Sequence, residues 1–262
     1  MSNIKVLYED NHIVAVVKPA GVLTQGDRTG DENLMEMVKD YLKEKYKKPG
    51  NVFLGLVHRL DKPVQGIVLF GKTSKGASRL SEQFRNHTIQ KTYHAIVIGK
   101  LEKEKGEIKE KVKKISFFAE GFTEKSDEEL LAEIKKATKT RTAELSWEVV
   151  KYVEKPDKSP KGHFDGPATI SPKASLGGYS LLKIMPKTGR FHQIRIQMAN
   201  MGHPILGDTK YGEQTRGPVH RPEWQNKSSI ALAATAISFK SATEDKVISL
   251  EIPLPEEWKE YI

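Results

Sequence analysis

The chain has 262 residues, enough for one large domain or two small ones with a sizeable core. It contains no cysteine, which excludes a disulfide framework, a thiolate nucleophile, zinc–thiolate sites and iron–sulfur clusters, and fits a reducing cytosol. With 37% hydrophobic and 29% charged residues wholesale disorder is excluded, and 43 Lys and Arg against 34 Asp and Glu, a net charge of +9, point to a polyanion: RNA, DNA or a membrane surface.

The first quarter alternates strand and helix signals. Ile4 to Tyr8 and Ile13 to Val17 are β-rich runs, and Lys18-Pro19-Ala20-Gly21 stops the second with a turn. No apolar leader follows Met1, since Lys5 lies inside the first alternating run. Leu34, Val38, Tyr41 and Leu42 recur at helical spacing behind a cap near Asp31, so a helix is expected from Asp31 to about Lys47, with Pro49-Gly50 ending it. Two strands follow, Val52 to His58 and Ile67 to Phe70, joined by the polar segment Arg59 to Gly66. A helix fits Ser74 to Arg85, and Thr92 to Ile98 returns to alternation with Tyr93, Ala95 and Val97 on one side.

The middle differs in texture. Leu101 to Thr142 carries eleven Lys/Arg against ten Asp/Glu, so it reads as a solvated excursion, an exposed hairpin plus a short helix, and not as a basic arm. Lys155 to Gly178 is rich in Pro, Gly, Ser and Lys and reads as a long surface loop. Strand signals resume at Tyr179 to Ile184, a helix fits Phe191 to Met201, and Ile230 to Phe239 and Val247 to Glu251 close the chain as strands. Ile230 to Phe239, the most apolar late stretch, is far short of the ~20 residues of a membrane span. The expected fold class is α+β: one domain over 1–262 with polar insertions at about 101–142 and 155–178, and a mixed, largely antiparallel central sheet flanked by helices and loops. A cytoplasmic monomer without membrane attachment is expected.

Familiar cofactor signatures are missing from the sequence. Gly99-Lys100 lacks the glycine at 94 and the Ser or Thr at 101 that a phosphate loop needs, and no Gly-x-Gly-x-x-Gly follows a strand. The eight histidines form no His-Glu-x-x-His pair, and no Gly-x-Ser-x-Gly elbow occurs. The informative segment is Leu56-Val57-His58-Arg59-Leu60-Asp61, where an apolar run ends in polar groups and Arg59 and Asp61, two apart in an extended chain, share a side. Alone, that pair reads as an ordinary ion pair at a sheet edge. A second basic cluster, Thr188-Gly189-Arg190-Phe191-His192-Gln193-Ile194-Arg195, precedes Gly202-His203-Pro204-Ile205-Leu206-Gly207-Asp208. On a helix starting near Phe191, His192 and Arg195 share one face while Ile194 and Met198 face the core.

Taken together, His58-Arg59-Leu60-Asp61 with Gly66, Lys91-Thr92-Tyr93-His94-Ala95, Gly189 to Arg195 and Gly202 to Asp208 resemble the ordered motifs of RluA-type pseudouridine synthases, and Lys18-Pro19-Ala20-Gly21-Val22 is similar to the family's opening motif. The likeness runs from Val6 to about Phe239. It implies a pseudouridine synthase fold with a central RNA-binding cleft, and no separate S4 module ahead of Lys18. The chain departs from the usual pattern at Val64-Gln65, at Phe191 where a threonine is usual, and at Ala233 where a histidine is common.

The implied reaction cleaves the N1–C1′ bond of a uridine in ribosomal or transfer RNA, turns the base over and rejoins it through C5. Such an isomerisation asks for no metal, nucleotide or redox cofactor. The resemblance makes Asp61 the essential carboxylate, attacking or stabilising C1′ or otherwise starting the cleavage. Arg195 is expected to hold Asp61 ionised, and Tyr93 to stack on the uracil with its phenol near the C5 proton. Base flipping is required, with Arg59 beside the extruded uridine and Lys18, Arg190, His58 and Gln193 also binding RNA. Two alternatives are a non-catalytic RNA-binding protein on the same scaffold and a metal-dependent nuclease. The first would have Asp61 replaced, and the second would need clustered carboxylates, whereas Asp61 and Asp208 are the only acids inside the motifs.

Overall fold

The computed structural model describes residues 4–27, 30–113, 140–154, 178–216 and 229–262. The alternating opening folds as a hairpin of β1 (Lys5–Glu9) and β2 (Ile13–Lys18), whose turn is tied by the Asp10 carboxylate accepting from the His12 and Ile13 N–H groups, both at 2.7 Å. Helix α1 (Leu34–Lys45) starts at Asn33, whose side chain accepts from Glu36 N–H at 3.2 Å. The cap therefore lies two residues beyond the expected Asp31. Leu34, Val38 and Leu42, four apart, are the buried stripe of α1, and each contributes about 1.5–3 kcal/mol by leaving water.

Strand β3 is only Gly55–Leu56, where a strand to His58 is expected. Beyond Leu56 the His58 ring replaces the backbone: its Nε2 accepts from Leu69 N–H at 2.9 Å, on β4 (Gln65–Gly71). Helix α2 (Ser74–Arg85) is capped by Thr73, and β5 (Gln90–Ile98), β6 (Lys105–Lys113), β7 (Thr140–Glu154) and β8 (Gly178–Pro186) follow. Helices α3 (Gln193–Asn200) and α4 (Thr209–Arg216) precede β9 (Leu232–Lys240), β10 (Val247–Glu251) and a 3-10 turn, Glu256–Trp258.

These ten strands form one sheet, in the order β1-β2-β4-β9-β5-β8-β7-β6, with β3 on β4 and β10 on β9. Every pairing is antiparallel except β4 with β9. The sheet is mixed and largely antiparallel, flanked by helices, as the sequence predicts. Pairing of β6 with β7 supplies the hairpin expected in the mixed-charge middle. The short helix expected there, and the loop at 155–177, lie outside the described residues. Strand β7 runs on to Glu154, an extension that the expected elements omit although Ala143, Leu145 and Trp147 alternate as its buried side. The sheet is covered on both faces near its centre: Val14 and Val16 of β2 pack towards α1, Ile13 and Ala15 towards Leu80 of α2.

The parallel junction positions the site. It is two residues long, Gln65 opposite Ala233 and Gly66 opposite Ala234, and Ala234 also faces Tyr93 across β5. Gly66 has φ +132°, and a Cβ there would stand 2.3 Å from the Ala234 carbonyl oxygen. Only glycine lets the two backbones meet, and their meeting brings the Arg59–Val64 loop out beside Tyr93.

Candidate active site

The loop between β3 and β4 is anchored at alternate residues. His58 is fixed by its ring, and the Thr24 hydroxyl donates to the Leu60 carbonyl (2.8 Å) while accepting from Leu60 N–H (3.1 Å). Lys62 O accepts from Gly21 N–H (2.8 Å) and from the Lys18 ammonium (3.1 Å), and Val64 N–H returns to Asp61 O. With 58, 60, 62 and 64 tied down, Arg59 and Asp61 face an open cleft. Its lining includes Arg59, Asp61, Lys91, Tyr93, Arg190, His192 and Arg195.

Across the cleft, Arg195 on α3 is 6% exposed and gripped by Asp208, which is 1% exposed: Nε donates to Oδ2 at 2.7 Å and Nη2 to Oδ1 at 2.8 Å. This bidentate pairing fixes the guanidinium plane and leaves Nη1 turned to Asp61 Oδ2 at 3.6 Å. The Tyr211 ring lies 5.1 Å from the guanidinium carbon. His192 stands at the N-cap of α3, not within it, in the left-handed region with φ +50°. It reaches the same carboxylate oxygen, Nε2 to Asp61 Oδ2 at 3.4 Å. Helical spacing predicts one face for His192 and Arg195; they meet at Asp61 through a distorted cap instead.

The electrostatics differ from the expectation in one respect. Burial lifts the Asp61 carboxyl above its ordinary value, and Arg195, then Arg59 and Lys18, pull it back only in part. Arg195 thus moderates the cost of ionising Asp61 without reversing it. Burial, with Asp61 adding to it, pushes the Tyr93 phenol well above its usual range, so it keeps its proton at neutral pH. Burial and three nearby cations, Arg195, Lys210 and Arg59, bring His192 down to about 3, so its ring is neutral.

Asp61, Tyr93 and Arg195 are brought together as expected, and Arg59 and Arg190 line the same cleft. Three residues expected to bind RNA are placed otherwise. Lys18 is fully buried, its ammonium donating to the carbonyls of Pro19, Val22 and Lys62. Gln193 is buried and committed internally: its amide oxygen accepts from the Thr188 hydroxyl and Arg190 N–H, and its amide donates to Glu144 O. His58 is stacked on Phe84 with ring centroids 4.6 Å apart, and burial holds it neutral. Lys18 and His58 brace the cleft walls from behind, while Gln193 lines the cleft with its amide bonded inward, because a buried polar group must spend its bonds inside the protein. Lys91, to which no sequence motif assigns a role, lines the cleft two residues before Tyr93, half-buried and without an ion-pair partner among the described residues. Its spacing from Tyr93 on a strand is the signal that could have found it.

Comparison with known proteins adds an independent line. Residues 12–200 match the family model described as RNA pseudouridylate synthase. A tRNA pseudouridine synthase C of Vibrio cholerae serotype O1 is 30% identical, covering 98% of this chain and 93% of the relative, and one of Yersinia pestis is 34% identical over 82% and 73%. Among solved structures, human RNA pseudouridylate synthase domain containing 4 superposes with a TM-score of 0.67 at 18% identity, covering 97% of this chain and 90% of the other. Human RNA pseudouridylate synthase domain containing 1 gives 0.64 at 20%, covering 96% and 84%.

Proposed function

This chain belongs to the RNA pseudouridylate synthase family and is an RNA-acting isomerase, and from that premise we propose that its substrate is a uridine of transfer RNA, with Asp61 as the reacting carboxylate. The observation that carries the reading is the convergence on one carboxylate: Asp61 projects from a loop tied down on both sides of it and faces a buried arginine already clamped by Asp208. The transfer RNA assignment is supported by relatives of nearly the same length whose names carry that substrate.

The uridine must leave its stack to reach the cleft, since C1′ is shielded in a helix. Arg59, Arg190 and Lys91 form the cationic rim that meets its phosphates. The Tyr93 ring stacks against the uracil, and ionised Asp61 places negative charge at C1′ as the N1–C1′ bond breaks. The base then turns, C5 bonds to C1′, N1 takes up a proton and the C5 proton is released. No atom is gained or lost from the RNA.

The experiment follows from that last proton. Transfer RNA carrying tritium at uridine C5, incubated with the protein in EDTA, is expected to release one tritium per modified site, while ribosomal RNA releases none. Release from ribosomal RNA alone would contradict the substrate assignment, and release from neither would contradict the proposed activity.

A further inference from the structure

Two side chains converge on the Asp61 carboxylate. His192 Nε2 and Arg195 Nη1 both approach the same oxygen, Oδ2, at 3.4 and 3.6 Å. On its far side His192 Nδ1 is 2.7 Å from the Tyr211 hydroxyl. The outer face of the imidazole is covered by Phe191, stacked with centroids 3.7 Å apart and planes at 18°, and Tyr211 meets it edge-on at 5.6 Å. His192 is held in the left-handed backbone region, at a position where a helix N-cap ordinarily offers a side-chain oxygen and where no side-chain cap bond forms. Here the side chain turns from capping the helix towards Asp61.

We propose that His192 is a positioning residue for Asp61: Tyr211 donates its O–H to His192 Nδ1, which fixes the ring as the Nε2–H tautomer and aims that N–H at Asp61 Oδ2, leaving Oδ1 for the sugar. The proposal rests on the assignment of Asp61 as the reacting carboxylate. The choice of tautomer follows from the neighbours. A neutral imidazole has one donor and one acceptor nitrogen. With Nδ1 protonated, the Nε2 lone pair would face the ionised carboxylate. With Nε2 protonated, a donor faces the carboxylate and the acceptor faces a phenol that burial keeps protonated. Both ends are satisfied only in the second arrangement.

Phe191 thereby acquires a function in this chain. It is 40% exposed, an unusual setting for a large apolar ring, and its stacked face restrains the imidazole plane. His192 remains an auxiliary group: Arg195 supplies the charge, and His192 supplies a neutral donor that fixes which oxygen is occupied.

The test is a single-turnover comparison of the full chain with three variants on tritiated transfer RNA, with RNA affinity and melting temperature measured alongside. His192→Asn suits the left-handed backbone, but its amide is too short to reach Asp61. His192→Gln restores a donor at the reach of Nε2. Tyr211→Phe keeps the ring beneath Arg195 and removes only the hydroxyl. A hydrogen bond to a charged acceptor corresponds to about tenfold to a hundredfold in rate. His192→Asn is expected to slow turnover by that factor with RNA affinity unchanged, His192→Gln to recover most of it, and Tyr211→Phe to lose several-fold. In the wild type, nitrogen-15 NMR of the His192 ring is expected to show Nε2–H. Wild-type turnover with His192→Asn unimpaired, or with Gln no better than Asn, would overturn the positioning role alone; an inert wild type would instead contradict the activity on which it rests.

Discussion

On one wall of the cleft, residues 58 to 64 are held largely through their backbone; on the other, Arg195, Asp208, His192 and Tyr211 are held through their side chains. The first wall uses Lys18, Thr24 and His58 as buried substitutes for a strand partner, so the direction of Asp61 is set by the course of the main chain. The second wall is a network of charge and hydrogen bonds whose strength depends on every member being present. The course of the main chain therefore sets where Asp61 points, while Arg195 offsets part of the burial that raises its carboxyl.

The largest effect should come from breaking the second wall at Asp208. Asp208→Asn leaves a nearly buried guanidinium without its bidentate partner, and a loss of about 3–5 kcal/mol in unfolding free energy together with turnover is expected. The double replacement Arg195→Met with Asp208→Leu removes both charges and should recover most of the melting temperature while turnover stays lost. If the double variant is as unstable as the single one, the pair is structural in a way the network account omits.

The first wall is tested at Lys18. Lys18→Met preserves the stem but removes the ammonium donor from the Pro19 and Val22 carbonyls and leaves the Lys62 carbonyl to Gly21 N–H alone, partly offset by no longer burying an ammonium. A net loss of about 2 kcal/mol by denaturant unfolding is expected, with transfer RNA affinity nearly unchanged because Lys18 has no exposed surface. A drop in affinity as large as that of an Arg59 variant would contradict its placement behind the wall.

Burial and the surrounding cations make opposite contributions with pH. Because burial raises Asp61, the acid limb of kcat/KM should lie above the ordinary aspartate value of about 4, and Arg195→Gln should move it higher still. A limb at or below that value would show that the cation outweighs burial. The smallest effect belongs to the rim: Arg59→Gln or Lys91→Gln should lower the slope of log affinity against log salt by about one, uniformly across RNA sequences. A slope identical to wild type would remove those residues from the phosphate path.

Much of this was legible in the sequence, for identifiable reasons. Alternation and helical spacing are local signals, so β1, β2, α1, α2 and β5 stand close to where the pattern puts them. Asp61, Tyr93 and Arg195 were reachable because their motifs are short and ordered along the chain. Other features depended on contacts across long separations. Nothing local says that the Lys18 ammonium is turned inward to a carbonyl 44 residues away, or that His58 Nε2 replaces a strand. Helical periodicity starts α3 two residues early, at Phe191, and so puts His192 on a helix face although its backbone is left-handed and it stands at the cap. Helix α4 was missed because its short sequence, with Gly212 inside, has no apolar stripe.

The most direct test of the central claim is Asp61→Asn, measured for tritium release, RNA binding and thermal stability at neutral pH. A carboxyl whose value is raised by folding stabilises the protein below its unfolded value and loses that contribution as pH rises through the folded value. Asparagine avoids burying the charge, so the variant is predicted to release no tritium, bind transfer RNA as the wild type does, and melt at or above the wild-type temperature. Persistent tritium release from Asp61→Asn would contradict the account.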